Sequence, residues 1–173
     1  MNAVTNRAAA FLLLMSLSAC GGRDLSGPPE LRAGRDECAE CGMIVADERA
    51  CAALLVEIEG RREYRLFDDL GCLVDFIDAH SVAGQVLEGW AVDHTDGEWL
   101  PLKGAHYLLA DSRRLMTPMG SGFVAYADPA AALRGTAEFG GSVASFDDLA
   151  DARRAWRASL HSGIANQEPD HDD

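Results

Sequence analysis

The chain has 173 residues and a formal net charge of −13, from 28 acidic and 15 basic residues. This length suits one compact domain, or two very small ones that share a core, and gives no indication of a large enzyme. The acidic balance disfavours nucleic acid as a partner.

The first 19 residues are typical of a signal peptide. Arg7 precedes an apolar run from Ala8 to Ala19 that is too short to cross a bilayer. The sequence Leu17–Cys20 is typical of a bacterial lipobox, in which the leader is removed and the thiol of Cys20 is lipidated. We therefore expect a signal peptide at 1–19 and a lipid anchor on the periplasmic side of a bacterial membrane. The alternative is an ordinary secreted protein with an incidental cysteine.

Residues 20–35 are predicted to form the lipidated Cys and a flexible tether. Residues 21–35 contain four Gly and two Pro and show no apolar periodicity. The folded part would then begin at residue 36.

The next region predicts a hairpin, a helix and another strand. Strands are indicated at Cys51–Glu57, Glu63–Phe67 and Gln85–Val92 by apolar or alternating patterns. Asp68 or Asp69 can cap the helix between them. The core-facing positions of that helix recur at helical spacing: Leu70, Leu73, Val74 and Ile77.

The same order returns in the second half. Strands are predicted at His106–Ala110, Gly122–Ala127 and Ser142–Phe146, and Asp128-Pro129 opens a helix that reaches about Glu138. The order indicates a degenerate internal repeat in an α+β fold, with units at 36–95 and 96–148. Residues 149–173 complete a C-terminal helix and an acidic tail that we expect to be disordered. The helix stripe is Leu149, Ala152, Trp156 and Leu160.

A sulfur-rich stretch, DECAECGMIVAD at 36–47, carries the chemistry. Two thiols and a thioether, from Cys38, Cys41 and Met43, suit Cu(I) better than harder divalent ions. If 43–45 is a strand, Cys41 and Met43 project to one face, with Cys38 in the turn leading in and Gly42 allowing a bend.

Two other interpretations of Cys38 and Cys41 remain open: a redox dithiol and half of a zinc site. The residues that follow are β-formers rather than a helix start, which disfavours the redox dithiol. Zinc would need a second close pair of ligands. Cys51 and Cys72 are expected to be small buried hydrophobic residues, with at most one disulfide in the protein. The sequence contains no recognisable catalytic motif, so we expect no enzyme activity.

The Cys-Gly-Met core at 41–43, FDD at 67–69 and TPMG at 117–120 together resemble the NosL family over roughly residues 36–148. That family comprises lipoprotein copper chaperones of nitrous oxide reductase, built from two related ββαβ units. The resemblance implies that Met119 is a ligand or a cover of the copper site, and that the recipient is the nitrous oxide reductase assembly machinery.

The resulting hypothesis is a membrane-anchored lipoprotein that binds one Cu(I) per chain through Cys41 and Met43. Met119, Cys38 or a histidine, with His94 and His106 as candidates, would supply a third ligand. The alternatives are a tethered thiol-disulfide oxidoreductase using Cys38 and Cys41, and a docking lipoprotein in which these cysteines form a structural staple.

Overall fold

The computed structural model describes residues 25–165, so the predicted signal peptide, Cys20 and the end of the tail lie outside the described residues. Within this range there are seven strands and three helices. In chain order they are β1 (Ala52–Ile58), β2 (Arg61–Phe67), α1 (Leu70–His80), β3 (Val86–Val92), β4 (Trp99–Pro101), β5 (His106–Leu109), β6 (Phe123–Tyr126), α2 (Pro129–Phe139), β7 (Ser142–Ala144) and α3 (Phe146–Ala165).

The first sheet is antiparallel with the strand order β2-β1-β3-β4. Strand β1 lies between two neighbours, and residues 52–56 are buried on both faces, which explains their continuous apolar run. Glu59 and Gly60 join β1 to β2 with φ of 53° and 73°, the left-handed conformation that a tight two-residue hairpin requires. The sheet continues to Pro101, beyond the boundary expected at residue 95, because β4 pairs with β3.

The second sheet has the order β6-β5-β7 and is also antiparallel. Strands β6, β5 and β7 occupy the positions that β2, β1 and β3 occupy in the first sheet. In each unit the helix follows the second of these strands in chain order. This shared topology confirms the predicted α+β fold with two related ββαβ units. Sequence order revealed the repeat because each helix begins at a recognisable cap, Asp69 for α1 and Asp128 with Pro129 for α2.

One core joins the two units. Phe67 and Leu73 of the first unit lie in the same apolar cluster as Tyr107 and Ala125 of the second. A buried carboxylate adds a polar link, since Asp93 Oδ2 accepts a hydrogen bond from the backbone N of Ala127 at 2.9 Å. The two units therefore fold onto each other rather than standing apart.

Helix α3 differs from the predicted stripe. Leu149 is fully buried as expected, but Trp156 is 47% exposed and Arg153 is buried in its place. Arg153 pairs with Asp75 of α1 at 2.7 Å and lies 4.4 Å from the centroid of the Trp156 ring. The Asp75 carboxylate pairs with the buried guanidinium of Arg153. The indole ring of Trp156 packs over the same guanidinium from the outer side. Among the described residues, no helix is long and apolar enough to cross a membrane.

Within 25–35, where a flexible tether is predicted, several residues contact the fold. Leu25 packs against Leu55 and Trp90, and the hydroxyl of Tyr64 donates to the carbonyls of residues 26 and 27. Leu31 packs beside Val45 in another apolar cluster. These two leucines are isolated in a Gly- and Pro-rich sequence, so no periodicity revealed them.

Candidate metal site

Residues 36–45 form a tight hairpin rather than a turn followed by a strand. Three backbone N–H···O bonds close it, from Val45 to Asp36 at 2.8 Å, from Cys38 to Met43 at 2.8 Å and from Gly42 to Cys38 at 2.9 Å. Gly42 has a φ of 73°, a left-handed conformation that glycine adopts without strain. The bend expected at Gly42 is therefore present at the tip of the hairpin.

The hairpin is fixed at two places. At its entry, the Asp36 carboxylate accepts hydrogen bonds from the backbone N and the guanidinium of Arg32, at 2.7 to 3.1 Å. Near its tip, the backbone N of Ala39 donates to the Leu66 carbonyl at 2.7 Å, which ties the hairpin to β2. These contacts hold the sulfur-bearing residues against the first sheet.

The expected strand at 43–45 is not formed, apart from a single bridge between Glu37 and Ile44. Cys41 lies in the turn, so the argument that it shares a strand face with Met43 does not apply. Cys38 lies in the paired arm of the hairpin and is 2% exposed, rather than in a turn leading in. The reason is that the chain reverses at residues 39–42, between Cys38 and Met43, with Cys41 inside the turn.

Three thiols and one carboxylate converge behind this hairpin. The Sγ atoms of Cys38, Cys41 and Cys72 and a carboxylate oxygen of Asp68 all lie within 4.8 Å of one another. Cys38 and Cys72 are 2% exposed, whereas Cys41 is partly exposed. We call these four residues the thiol cluster.

Cys72 is buried in the main apolar cluster, as predicted, and the structure also places it in the thiol cluster, which the sequence did not indicate. Asp69 caps α1, so Cys72 is in the first turn of that helix. Helical side chains point toward the N-terminus of their helix, which directs this thiol back toward Asp68. The sequence feature that could have identified Cys72 is its position shortly after the FDD motif. Nothing in the sequence indicates that this cysteine lies close to the hairpin.

The charges in the thiol cluster are unevenly distributed. A hydrogen bond donated by the Cys72 thiol lowers the pKa of Cys38 to about 6. The same contact raises the pKa of Cys72 far above its usual range. Burial raises the pKa of Cys41, whose sulfur lies 3.8 Å from both carboxylate oxygens of Asp68. The contacts in the cluster thus favour ionisation of Cys38 over ionisation of Cys41 or Cys72.

An open cleft of about 650 Å³ gives access to the thiol cluster. It runs between the hairpin and β2 and is lined by Cys38 and Cys41 together with Tyr64 and Arg65. Three acidic residues of the hairpin, Asp36, Glu37 and Glu40, also line the cleft. A cation entering this cleft would meet the partly exposed Cys41 in an acidic setting.

The two candidate thioethers are both at the surface. Met43 is 51% exposed on the hairpin arm opposite Cys38. Met119 is 36% exposed, and its backbone N donates to Asp69 Oδ2 at 3.1 Å, which places its loop at the start of α1 beside Asp68. Met119 thus lies in a loop of the second unit that binds the first unit at Asp69, the residue that follows Asp68 of the thiol cluster.

The remaining candidates lie elsewhere in the described part of the chain. His94 packs edge-on against Tyr126 and Phe139, and His106 begins β5. Neither histidine belongs to the thiol cluster. Cys51 is buried, and its thiol donates to the Asp47 carbonyl at 3.2 Å, in agreement with the prediction of a buried residue outside the site.

The donor set is rich in sulfur and close enough to surround one ion. Thiolates favour Cu(I) and Zn²⁺, and a carboxylate is a harder ligand that Cu(I) uses least. Fold and site together define a small α+β protein with a potential metal site built mainly of cysteines.

Comparison with known proteins gives the family. The family model of NosL matches residues 30–153, and the chain therefore belongs to the NosL family. Its structure is similar to the crystal structure of the copper chaperone NosL from Shewanella denitrificans, with a TM-score of 0.56 and 18% sequence identity. That similarity covers 70% of this chain and 96% of the other, and at this identity it shows the fold. No curated protein matches the chain.

Proposed function

We propose that this protein is a copper chaperone that binds one Cu(I) at the thiol cluster and delivers it for assembly of the copper centres of nitrous oxide reductase. The observation that carries the proposal is the convergence of three cysteine sulfurs within 4.8 Å. Membership of the NosL family supports the same function. The protein acts as a carrier, with no catalytic step of its own.

Cys41 is the ligand through which copper enters and leaves. It is the partly exposed thiol of the cluster and it lines the open cleft, whereas Cys38 and Cys72 are buried behind it. Cu(I) accepts low coordination numbers and soft donors, so a thiol or thioether of an incoming protein can bind before Cys41 releases the ion. Transfer by ligand exchange then needs no free copper.

The thioethers of Met43 and Met119 serve as neutral donors on the outer side of the site. Both are exposed enough to reach an incoming ion, and neither changes charge with pH. Neutral donors hold Cu(I) less tightly than further thiolates would, which suits a protein that must release its cargo. Only a few of the proposed sulfur donors bind the ion at any one time, in keeping with its low coordination number. These donors are Cys38, Cys41, Cys72, Met43 and Met119.

A thiol-disulfide oxidoreductase is less well supported. Such enzymes expose a low-pKa thiolate for attack on a disulfide. Here the sulfur that an incoming disulfide can reach is Cys41, while Cys38 is 2% exposed. A structural staple is also disfavoured, since Cys38, Cys41, Cys51 and Cys72 are free thiols.

The location is part of the proposal. Lipidation at Cys20 would hold the protein on the periplasmic side of a bacterial membrane, where the copper-receiving protein of the assembly machinery would meet it. The acidic cleft and the net charge of −13 would favour encounter with a cation or with a basic surface of that partner.

The test is an anaerobic Cu(I) titration of the full chain against a competing chelator. We expect one tightly bound ion per chain, loss of nearly all of this affinity in Cys41→Ser, and unchanged affinity in the matched variant Cys51→Ser. Delivery is then measured as the copper content of nitrous oxide reductase in cells that carry each variant. Equal affinity in the parent and in Cys41→Ser would overturn the proposed site.

A further inference from the structure

Two consecutive aspartates at the start of α1 reach in different directions. Asp68 approaches the thiol cluster, with both carboxylate oxygens 3.8 Å from Cys41 Sγ. Asp69 is not a member of the cluster and binds the loop at 117–122, which belongs to the second unit. The loop and the cluster are thus attached to neighbouring residues of one chain segment.

Asp69 uses both of its oxygens and is fully buried. Oδ1 accepts a hydrogen bond from the backbone N of Gly71 at 2.6 Å, which caps α1. Oδ2 accepts from the hydroxyl of Thr117 at 2.6 Å and from the backbone N of Met119 at 3.1 Å. One carboxylate therefore fixes the helix start and the Met119 backbone together.

The loop is organised around the same contact. The buried Thr117 hydroxyl also accepts a hydrogen bond from the backbone N of Gly122 at 3.1 Å. The Thr117 carbonyl accepts one from the backbone N of Gly120 at 2.9 Å. A Cβ on Gly122 would lie 2.8 Å from the Ala110 carbonyl oxygen, so the backbone approaches closely here. The loop closes on itself and rests on Asp69, with the Met119 side chain left partly exposed.

We propose that Asp69 is a positioning residue for copper binding, because it holds the loop that presents the Met119 thioether beside the thiol cluster. This inference rests on the proposed function. Asp69 binds no copper itself, since its oxygens are occupied by three hydrogen-bond donors. Through this loop, its effect on copper is transmitted by Met119.

Two variants separate the loop contact from the helix cap. Asp69→Asn keeps one of the two side-chain oxygens, so it loses either the hydrogen bond that caps α1 or the contact with the loop. Asn is itself a favourable N-cap residue. Thr117→Val keeps the side-chain volume, removes the hydroxyl that binds Asp69 and leaves the cap untouched. If Asp69→Asn fails to fold, Thr117→Val still tests the inference.

The chain also offers matched controls. Asp93 is another buried carboxylate that joins the two units, through Ala127 rather than through the Met119 loop. Asp93→Asn therefore removes a comparable link without touching this loop. Met116 is 84% exposed and lies three residues before Met119, so Met116→Leu controls for loss of a nearby thioether.

The experiment is a double-mutant cycle on anaerobic Cu(I) affinity, measured with the full chain. We expect Asp69→Asn, Thr117→Val and Met119→Leu each to weaken binding by about tenfold, as loss of a group that orients a ligand typically does. Combining either loop variant with Met119→Leu should add nothing further. Asp93→Asn and Met116→Leu should keep parental affinity.

A second readout reports on Met119 directly. With ¹³C-labelled methionine methyl groups, Cu(I) should shift the Met119 resonance in the parent and in Asp93→Asn, but not in Asp69→Asn or Thr117→Val. Additive losses in the cycle, or an unchanged Met119 shift in a folded Thr117→Val, would overturn the positioning role. A parent that binds no Cu(I) would instead overturn the proposed function and this inference with it.

Discussion

A comparison of Cys72 with Cys51 separates the contribution of a single thiol to copper binding from its contribution to packing. Both are buried, but Cys72 belongs to the thiol cluster and Cys51 does not. We predict that Cys72→Ala lowers Cu(I) affinity at least about tenfold, whereas Cys51→Ala leaves it unchanged. Each change removes one buried sulfur and should cost about 1 kcal/mol of stability, so denaturant unfolding checks that the two folds are equally affected.

If both variants kept full affinity for Cu(I), Cys72 would be core packing, as its sequence context indicated. If both lost it equally, the effect would lie in stability rather than in coordination.

The thiolate at Cys38 gives a pH-dependent signal in the metal-free, reduced protein. Because the Cys72 thiol donates to it, the pKa of Cys38 is about 6, and thiolate absorbance in the ultraviolet should rise as the pH increases through that value. Because folding lowers the pKa of Cys38, its ionisation adds stability that is fully present above the ordinary thiol pKa of about 8.5, shrinks as the pH falls from there, and is lost once the pH has fallen through about 6.

In Cys72→Ala the absorbance step should move toward the ordinary thiol value of about 8.5. A parent that showed no thiolate below about pH 8 would contradict the hydrogen bond between the two sulfurs.

At the residue scale, sequence located the part of the site that is local along the chain. Cys38, Cys41 and Met43 stand out because soft donors fall within six positions. Cys72 lies on another element and comes into the site through the direction of a helical side chain, which composition cannot reveal. Met119 was found through the TPMG motif rather than through any periodicity.

At the element scale, the hairpin at 36–45 depends on the left-handed conformation of Gly42. Its φ is 73°, and a Cβ there would meet nothing within 4 Å, so strain rather than collision sets the cost of a side chain. We predict that Gly42→Ala destabilises the protein by about 1–2 kcal/mol and weakens Cu(I) binding, because Cys41 is the preceding residue.

Gly84 is the matched position, since a Cβ there also meets nothing within 4 Å but its φ is not positive. Gly84→Ala should change stability by less than about 0.5 kcal/mol. Equal effects at the two positions, measured by denaturant unfolding, would show that the turn does not require glycine.

Strands and helices were predicted more accurately than connections. The cap residues and the buried run of β1 are local signals, and they placed α1, α2 and the first hairpin within a few residues. The contacts of the segment at 25–35 leave no local signal, because Leu25 and Leu31 pack against distant parts of the chain and the hydrogen bonds come from Tyr64. Irregular segments of this kind pack through single contacts that leave no repeating pattern.

At the scale of the whole molecule, the packed segment bears on the proposed anchor. With Leu25 on the sheet, residues 21–24 separate Cys20 from the folded body, a span of at most about 18 Å. We predict that Cys20→Ala removes the lipid and releases the protein into the soluble fraction of the periplasm, because the acyl chains provide the membrane affinity. Fractionation with intact-mass measurement checks this outcome.

A useful control is Cys51→Ala, which keeps the lipobox and should remain in the membrane fraction. Tight membrane association of an unlipidated Cys20→Ala protein would show that some other feature holds it there.

The central claim is that sulfur from the thiol cluster binds copper. Copper-edge X-ray absorption of the Cu(I)-loaded full chain measures this directly, because it counts and identifies the atoms bound to the ion. We expect sulfur to dominate the atoms bound to copper, with fewer sulfur neighbours in Cys41→Ser. A first shell of nitrogen and oxygen in the parent, or a spectrum unchanged in Cys41→Ser, would contradict it.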